Sequence, residues 1–404
     1  MKRFTFSRLA LCILCGASVA LMPSLTSAGW VSQTSGTTAE LQSVHFPVDA
    51  STGYAVGPRD TILNTTNGGA NWVFQTSGTT QWLWSVHFPV NALTGYAVGS
   101  SGTILKTTNG GGTWVPQTSG TTQTFTSVHF PLDAQTGYAV GGLGTIRKTT
   151  NGGANWVSQT SFTANPLFSV HFPADALTGY AVGGVGTIRK TTNGGAAWDT
   201  LTSGTTNFLG SVHFPVDALT GYAVGQAGTI RKTTNGGANW VSQASGTIEF
   251  LSSVHFPVDA QTGYVMGGWG TILKTTDGGP AWVSQNPGTT NALYSVHFPV
   301  DALTGYAVGG RGTILKTMDG GSGVEEAGGS RQKAVGSIKA TPNPFTSFAS
   351  LPGHEAERFS LYDVSGRQVG VYKGDRVGEG LAPGVYFLRS SDNKDKPLRI
   401  VKVR

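Results

Sequence analysis

Residues 41–57 read LQSVHFPVDASTGYAVG, and this stretch returns along the chain at a fixed interval. The histidines of its SVHFP core fall at His45, His87, His129, His171, His213, His255 and His297, each 42 residues after the last. The tyrosines of TGYAVG (TGYVMG in one unit) keep the same step, from Tyr54 to Tyr306. So do the tryptophans at 30, 72, 114, 156, 198, 240 and 282. A period in the low forties built from short β-type runs predicts a β-propeller, and seven units predict seven blades.

Each unit holds four such runs. In the first they are LQSVHF, GYAVG, TILNTT and WVFQ, short and rich in β-branched and aromatic residues. Turn compositions separate them: PVDAST, a short turn ending at Asp60, NGG and SGTT. One blade of this size cannot cover both of its faces, so neighbours in a ring must do so. The first Trp-led run, residues 30–33, has no blade before it. The last unit runs through TMDGGSG into Val324 with no Trp where the period requires one. The surplus run and the missing run match, which predicts that residues 30–33 close blade seven and remove an exposed edge.

The flanks differ from the ring. Residues 1–28 carry Lys2, Arg3 and Arg8, a largely apolar run from Leu9 to Leu21, and the small residues Thr26-Ser27-Ala28. This is the pattern of a secretory signal peptide, too short to be a full membrane span. Both cysteines, Cys12 and Cys15, lie inside it, so neither disulfide nor thiol chemistry is expected of the processed chain. Residues 29–323 make the propeller, 324–337 a Gly- and Ser-rich linker, and 338–404 a second domain. The runs RFSLYDV, QVGVY, GVYFLRS and LRIVKV predict a small immunoglobulin-like β-sandwich there. The fold class is thus all-β throughout.

Charge narrows the function. The chain carries a formal net charge of +6. Between residues 30 and 323, however, 11 basic residues face 12 acidic ones. A nearly neutral ring lacks the basic footprint of a nucleic-acid binder. No second apolar run could cross a membrane, and no phosphate loop, zinc signature or nucleophile elbow occurs. No cofactor is expected.

The turn before each Trp carries a further pattern, Thr65-x-Asn67-x-Gly69-x-x-Trp72 and its repeats through Thr275-x-Asp277-x-Gly279-x-x-Trp282. It resembles the Asp-box of sialidase-like propellers. Locally, Asn or Asp bonds its own turn, Gly takes the positive-φ position and Trp packs on the hairpin, a stabilising device without catalytic content. The whole unit, SVHF…TGYAVG…GTILKTTNGG…W, resembles the propeller of the photosystem II assembly and stability factor family over residues 30–323. Such repeats also occur in secreted bacterial proteins unconnected with photosynthesis. The C-terminal domain resembles a type IX secretion sorting domain, in Pro342-Asn343-Pro344-Phe345, Leu361-Tyr362-Asp363-Val364-Ser365-Gly366-Arg367, Leu381-Ala382-Pro383-Gly384-Val385-Tyr386 and the closing IVKVR. That resemblance implies export across the outer membrane, to be released or held at the surface, with residues 338–404 engaging the secretion machinery.

Positions identical in every unit maintain the blade; those that vary are free for function. The seven histidines belong to the first class, and hydrogen bonds to neighbouring backbone explain them better than a metal. The variable positions fall in two loops expected on one face of the disc. One precedes SVHF and carries Trp82, Trp84, Phe208, Phe250 and Tyr294, together with Phe125 and Phe168, two rings that could equally plug the core. The other follows TGYAVG and carries Arg59, Trp269 and Arg311. Aromatic rings stack on sugars or anchor peptides, and arginine adds bidentate bonds to carboxylates. A second stripe, Arg147, Arg189 and Arg231, replaces leucine in three successive units and could face an anionic partner.

The leading expectation is a secreted or surface propeller, non-catalytic, binding a protein or a glycan through this face. Two alternatives stand beside it. A sialidase-like glycoside hydrolase would use the unrepeated acids Glu40 and Asp60 on the first blade. An assembly factor for a membrane protein complex is the other.

Overall fold

The structure is a computed structural model and describes residues 29–322, 358–363, 367–373, 376–382, 384–390 and 398–402. The chain divides into two compact units, residues 1–325 and 326–404. The first 28 residues, the linker and the 342–345 motif lie outside the described residues.

The first unit consists of seven four-stranded antiparallel sheets. In the first blade the strands run Ser43–His45, Gly53–Val56, Ile62–Thr65 and Val73–Gln75, and they pair in chain order from the axis outward. The next five blades repeat this order. The last pairs Leu293–His297, Gly305–Gly309 and Ile314–Thr317 and takes its outer strand from Val31–Gln33, with Val31 opposite Lys316 and Gln33 opposite Ile314. Trp30 then donates from Nε1 to Gln285 Oε1 of the preceding blade at 3.0 Å. The ring is therefore latched by its own first strand.

Each interface between blades is the same packing problem solved seven times. The second strand, GYAVG, is buried along its whole length, because both of its faces meet neighbouring sheets. Phe172 stacks on Tyr138 of the previous blade at 4.0 Å and meets Trp198 edge-on at 6.1 Å. The preference of aromatic pairs for stacked-offset and T-shaped geometry thus ties three residue columns together. Gly179 opens this triangle, since a Cβ there would lie 2.4 Å from the Phe172 ring. The hydroxyl of Tyr138 donates to Ala176 O at 2.9 Å and to Gly194 O at 3.0 Å in the next blade. Lys148 Nζ donates to the same Gly194 carbonyl at 2.7 Å while lying 5.5 Å from the Tyr138 ring centre. Burial raises these phenols, Tyr54 to about 12, and keeps them protonated as donors.

The Asp-box turn closes as its composition requires. Asn67 Oδ1 accepts from Thr65 Oγ1 at 3.0 Å and from Asn71 N at 2.9 Å, and Gly69 N donates to Thr65 Oγ1 at 2.9 Å. The acids of the opposite turn do similar local work: Asp49 Oδ1 accepts from Ser51 N at 2.8 Å and Thr52 N at 3.0 Å.

In the second unit the described strands are Arg358–Asp363, Gln368–Lys373, Gly384–Ser390 and Leu398–Lys402, which coincide with the four apolar runs of the sequence. They form one antiparallel sheet with Arg358–Asp363 and Gly384–Ser390 at its centre. Phe359, Leu361, Val377, Tyr386 and Leu388 are buried together against it. A second sheet opposing this one is not found among the described residues. Among them, too, no helix is long and apolar enough to cross a membrane.

Candidate functional site

The two variable loops meet on each blade. After GYAVG the backbone makes a tight turn: Ser100 N donates to Trp82 O at 2.9 Å and Thr103 N to Ser100 O at 3.1 Å. Trp84 donates from Nε1 to Ser100 Oγ at 3.2 Å, and Ser101 Oγ donates to Gln81 Oε1 at 3.1 Å. The loop before the inner strand and the turn after the second strand therefore lie side by side, and blade by blade they build one face of the disc.

The tip residue of that turn is left-handed in every blade: Arg59, Ser101, Leu143, Val185, Ala227, Trp269 and Arg311 all have φ between 50° and 55°. Such a conformation is uncommon outside glycine and disfavoured for a β-branched residue such as Val185. It points the side chain away from the blade. Trp269 stands 74% exposed as a result. At the next position six blades have glycine, because a Cβ at Gly186 would meet Thr205 O at 1.9 Å. The first blade has Asp60 instead, also at positive φ, with its carboxylate accepting from Ser77 N at 2.7 Å and from the Ser77 hydroxyl.

On the adjoining loop Trp82 and Trp84 stack on each other at 5.5 Å. Trp82, Phe208 and Phe250 are exposed; Trp84 and Tyr294 are half-buried. Phe168 reaches Phe208 of the next blade at 6.2 Å, and the Phe250 ring closes over Gly210, where a Cβ would approach it to 3.1 Å. An aromatic arc thus crosses three successive blades. Burial, with the Glu40 charge adding to it, raises the Tyr294 phenol. Phe125 lies apart: it occupies the column held by leucine in the other blades and is fully buried.

Two further exposed side chains on these loops escape a search of the variable loops alone. Phe162 is 70% exposed at positive φ where every other unit has glycine, and Ile248 is 85% exposed where most have threonine. The broken columns were the signal. Arg311 lines a groove of about 820 Å³ with Ser35, Thr37, Thr289 and Asn291 across the closure.

The arginine stripe is partly absorbed by the fold. Arg147 Nη2 donates to Gly120 O at 2.7 Å, Arg189 Nη2 to Phe162 O at 2.7 Å and Arg231 Nη2 to Gly204 O at 2.6 Å. Arg189 also donates to Thr200 Oγ1 and is only 8% exposed. Each guanidinium clips the loop that enters its blade. The two acids of the hydrolase alternative are likewise engaged by neighbours, Asp60 by Ser77 and Glu40 by Gln42 Nε2 at 3.1 Å.

The seven histidines sit on the inner strands and form a closed ring, with neighbouring imidazole centres 4.7–5.0 Å apart all the way round. Each Nδ1 accepts from a backbone amide of the next blade, Phe88 N to His45 and finally Phe46 N to His297, at 3.3–3.4 Å. A serine two residues earlier makes a second rung, Val86 N donating to Ser43 Oγ at 3.3 Å. Burial pulls His129 and His297 down to about 4 and the others well below the ordinary value, with neighbouring imidazoles adding to the effect in those others. Among the described residues no group of His, Cys, Asp or Glu is disposed to hold a metal.

Fold and face together define a repeat-built propeller with a continuous, variable, aromatic-rich surface. Two stretches, residues 22–116 and 196–286, match the family of the photosynthesis system II assembly factor YCF48. The chain is accordingly a β-propeller with BNR-like repeats that resembles the photosystem II assembly factor family over those two stretches. Among solved structures, YCF48 from Cyanidioschyzon merolae is 19% identical at a TM-score of 0.61, covering 72% of this chain and 98% of that one. YCF48 bound to D1 peptide is 21% identical at 0.60, over 72% and 95% of the two chains. The WD40 repeats of RRP9 are 10% identical at 0.64, over 72% and 98%. Identities this low establish the fold alone. No curated protein matches the sequence.

Proposed function

We propose that this protein is a non-catalytic binding propeller whose partner is another protein, held on the face built by the two variable loops. The observation that carries the reading is the placement of Trp269. A large apolar ring is set on a left-handed turn and left 74% exposed, on the same face as the Trp82–Trp84 stack and the Phe168–Phe208–Phe250 arc. Exposed aromatic clusters of this kind mark interaction sites in soluble proteins, and Trp and Tyr dominate interface energetics. A YCF48 propeller is known bound to a D1 peptide, which favours a peptide-like ligand over a glycan. Arg59 and Arg311 supply carboxylate-binding groups on the first and last blades, and Tyr294 supplies a donor. Arg147 and Arg231, each with part of the guanidinium engaged, would add positive charge beside the face; Arg189 would act by holding Phe162 in place.

The export reading belongs here as well. Residues 1–28 would direct secretion, and residues 338–404, folded as an immunoglobulin-like sandwich, would pass the chain to a type IX secretion machinery and leave it secreted or at the outer-membrane surface. The ring of residues 29–323 would be the cargo, joined through 324–337.

The test uses the full chain beside a Trp84→Ala/Trp269→Ala variant, each mixed with envelope and culture protein from the source organism. The expected result is a defined protein retained by the unmodified chain and lost from the variant. Equal retention by both would remove the face from the account. Deleting residues 338–404 should leave the propeller inside the cell envelope; its normal appearance in the medium would end the sorting proposal.

A further inference from the structure

The histidine ring holds more than the blade needs. An imidazole whose Nδ1 accepts a backbone N–H carries its proton on Nε2 when neutral. Because all seven Nδ1 atoms accept, all seven Nε2 atoms are donors. Among the described residues none of these donors has a protein acceptor; the polar contact of each imidazole there is the single one at Nδ1. The rings are half-buried on the innermost strands, so these N–H edges open on the central channel.

The arrangement is also polarised in one sense. In each repeat a backbone N–H feeds Nδ1 and leaves Nε2–H as the positive end of a short hydrogen-bonded chain, and such chains strengthen one another. Seven positive ends converge on one axis. The groups acting electrostatically on five of the imidazoles, His45, His87, His171, His213 and His255, are other histidines of the ring, and among the described residues no carboxylate joins them. Phe172 and Phe298 lie flat beside His129 and His255 and offer only apolar surface. A metal finds the wrong edge here, since its ligand atom would have to be a deprotonated Nε2 and Nδ1 is already committed as an acceptor.

From this geometry we infer that the ring is an anion site, in which two or more adjacent Nε2–H groups hold a small monovalent anion of halide size in the channel. The site is separate from the aromatic face and does not depend on it.

The test is thermal unfolding of the full chain at pH 7.5 in chloride-free buffer, with sodium bromide against sodium gluconate at equal ionic strength. Bromide should raise the melting temperature above the gluconate curve by about 2 °C or more and saturate, as binding to the folded state alone requires. General salt effects act through exclusion from the protein surface, so a large hydroxylated anion such as gluconate should stabilise at least as well if no site exists. A gluconate curve equal to or above the bromide curve throughout would overturn the inference. A variant with His45, His129, His213 and His297 each changed to Met keeps a weak acceptor for the backbone amide but leaves no adjacent pair of donors. It should lose the bromide effect, and a retained effect would also overturn the inference. Should that variant fail to fold, crystals of the unmodified protein soaked in bromide decide the matter. An anomalous peak between neighbouring imidazoles supports the site; bromide elsewhere only, or none, ends it.

Discussion

Lowering the pH from 7.5 to 5 should destabilise the propeller through its histidine ring. In the neutral ring the second proton can be taken only at Nδ1, which faces a backbone N–H at 3.3–3.4 Å. Protonation sets donor against donor and breaks one of the rungs between blades. The folded ring therefore refuses protons that the unfolded chain accepts, and stability is full above the ordinary imidazole value and lost as pH falls through the window from 6.5 toward 4. For a group held at about 4, the loss at pH 5 is about 2 kcal/mol. Two such groups, His129 and His297, give about 4 kcal/mol, and the other five, all held well below the ordinary value, add to the loss in the same direction, so that it is a large fraction of the stability of a typical domain. The assay is urea unfolding followed by tryptophan fluorescence at pH 8, 7, 6 and 5. The midpoint should hold between pH 8 and 7 and then fall steeply. A midpoint unchanged between pH 7 and 5 would refute the reasoning.

Three further outcomes follow from the packing. Gly179→Ala places a Cβ 2.4 Å from the Phe172 ring and should cost about 2 kcal/mol or more, read as a lower urea midpoint. Tyr180→Phe removes the donor to Ala218 O and Gly236 O and should cost about 1 kcal/mol, since Lys190 still serves the Gly236 carbonyl at 2.8 Å. Deleting residues 30–36 strips the outer strand from Ile314–Thr317 and should both lower the midpoint and broaden the calorimetric transition; an unchanged profile would contradict the latch.

The ring was legible because its burial is collective. Each blade covers its faces only with copies of itself, so the Trp, Tyr, His and Phe columns must repeat at one step, and the unmatched run at residues 30–33 pointed to its partner. The tips were harder to read. Phe125 reads equally as a surface aromatic or a core plug until the register places it in the leucine column of Leu83 and Leu167. Arg189 reads as a free cation, yet its guanidinium is spent on the Phe162 carbonyl and Thr200. Conversely, Phe162 and Ile248 are exposed because they replace a turn glycine and a loop threonine, a departure visible only when the columns are aligned. The closed contact of the seven imidazoles depends on ring diameter and strand tilt, which a one-dimensional period does not carry. In the C-terminal unit the four runs gave the strands directly, whereas their order, with Gln368–Lys373 and Leu398–Lys402 at the edges, comes from pairing across the sheet.

The most direct measurement is a peptide-display selection on the immobilised full chain, followed by titration of the selected peptides against the Trp84→Ala/Trp269→Ala variant. Trp269 is exposed, and Trp84 makes one hydrogen bond, to Ser100, so the variant should remain folded. The account predicts peptides enriched for acidic and apolar residues whose affinity falls at least about tenfold on the folded variant, the loss expected when interface tryptophans are truncated. Peptides that bind both proteins equally would contradict it and move the binding surface away from this face.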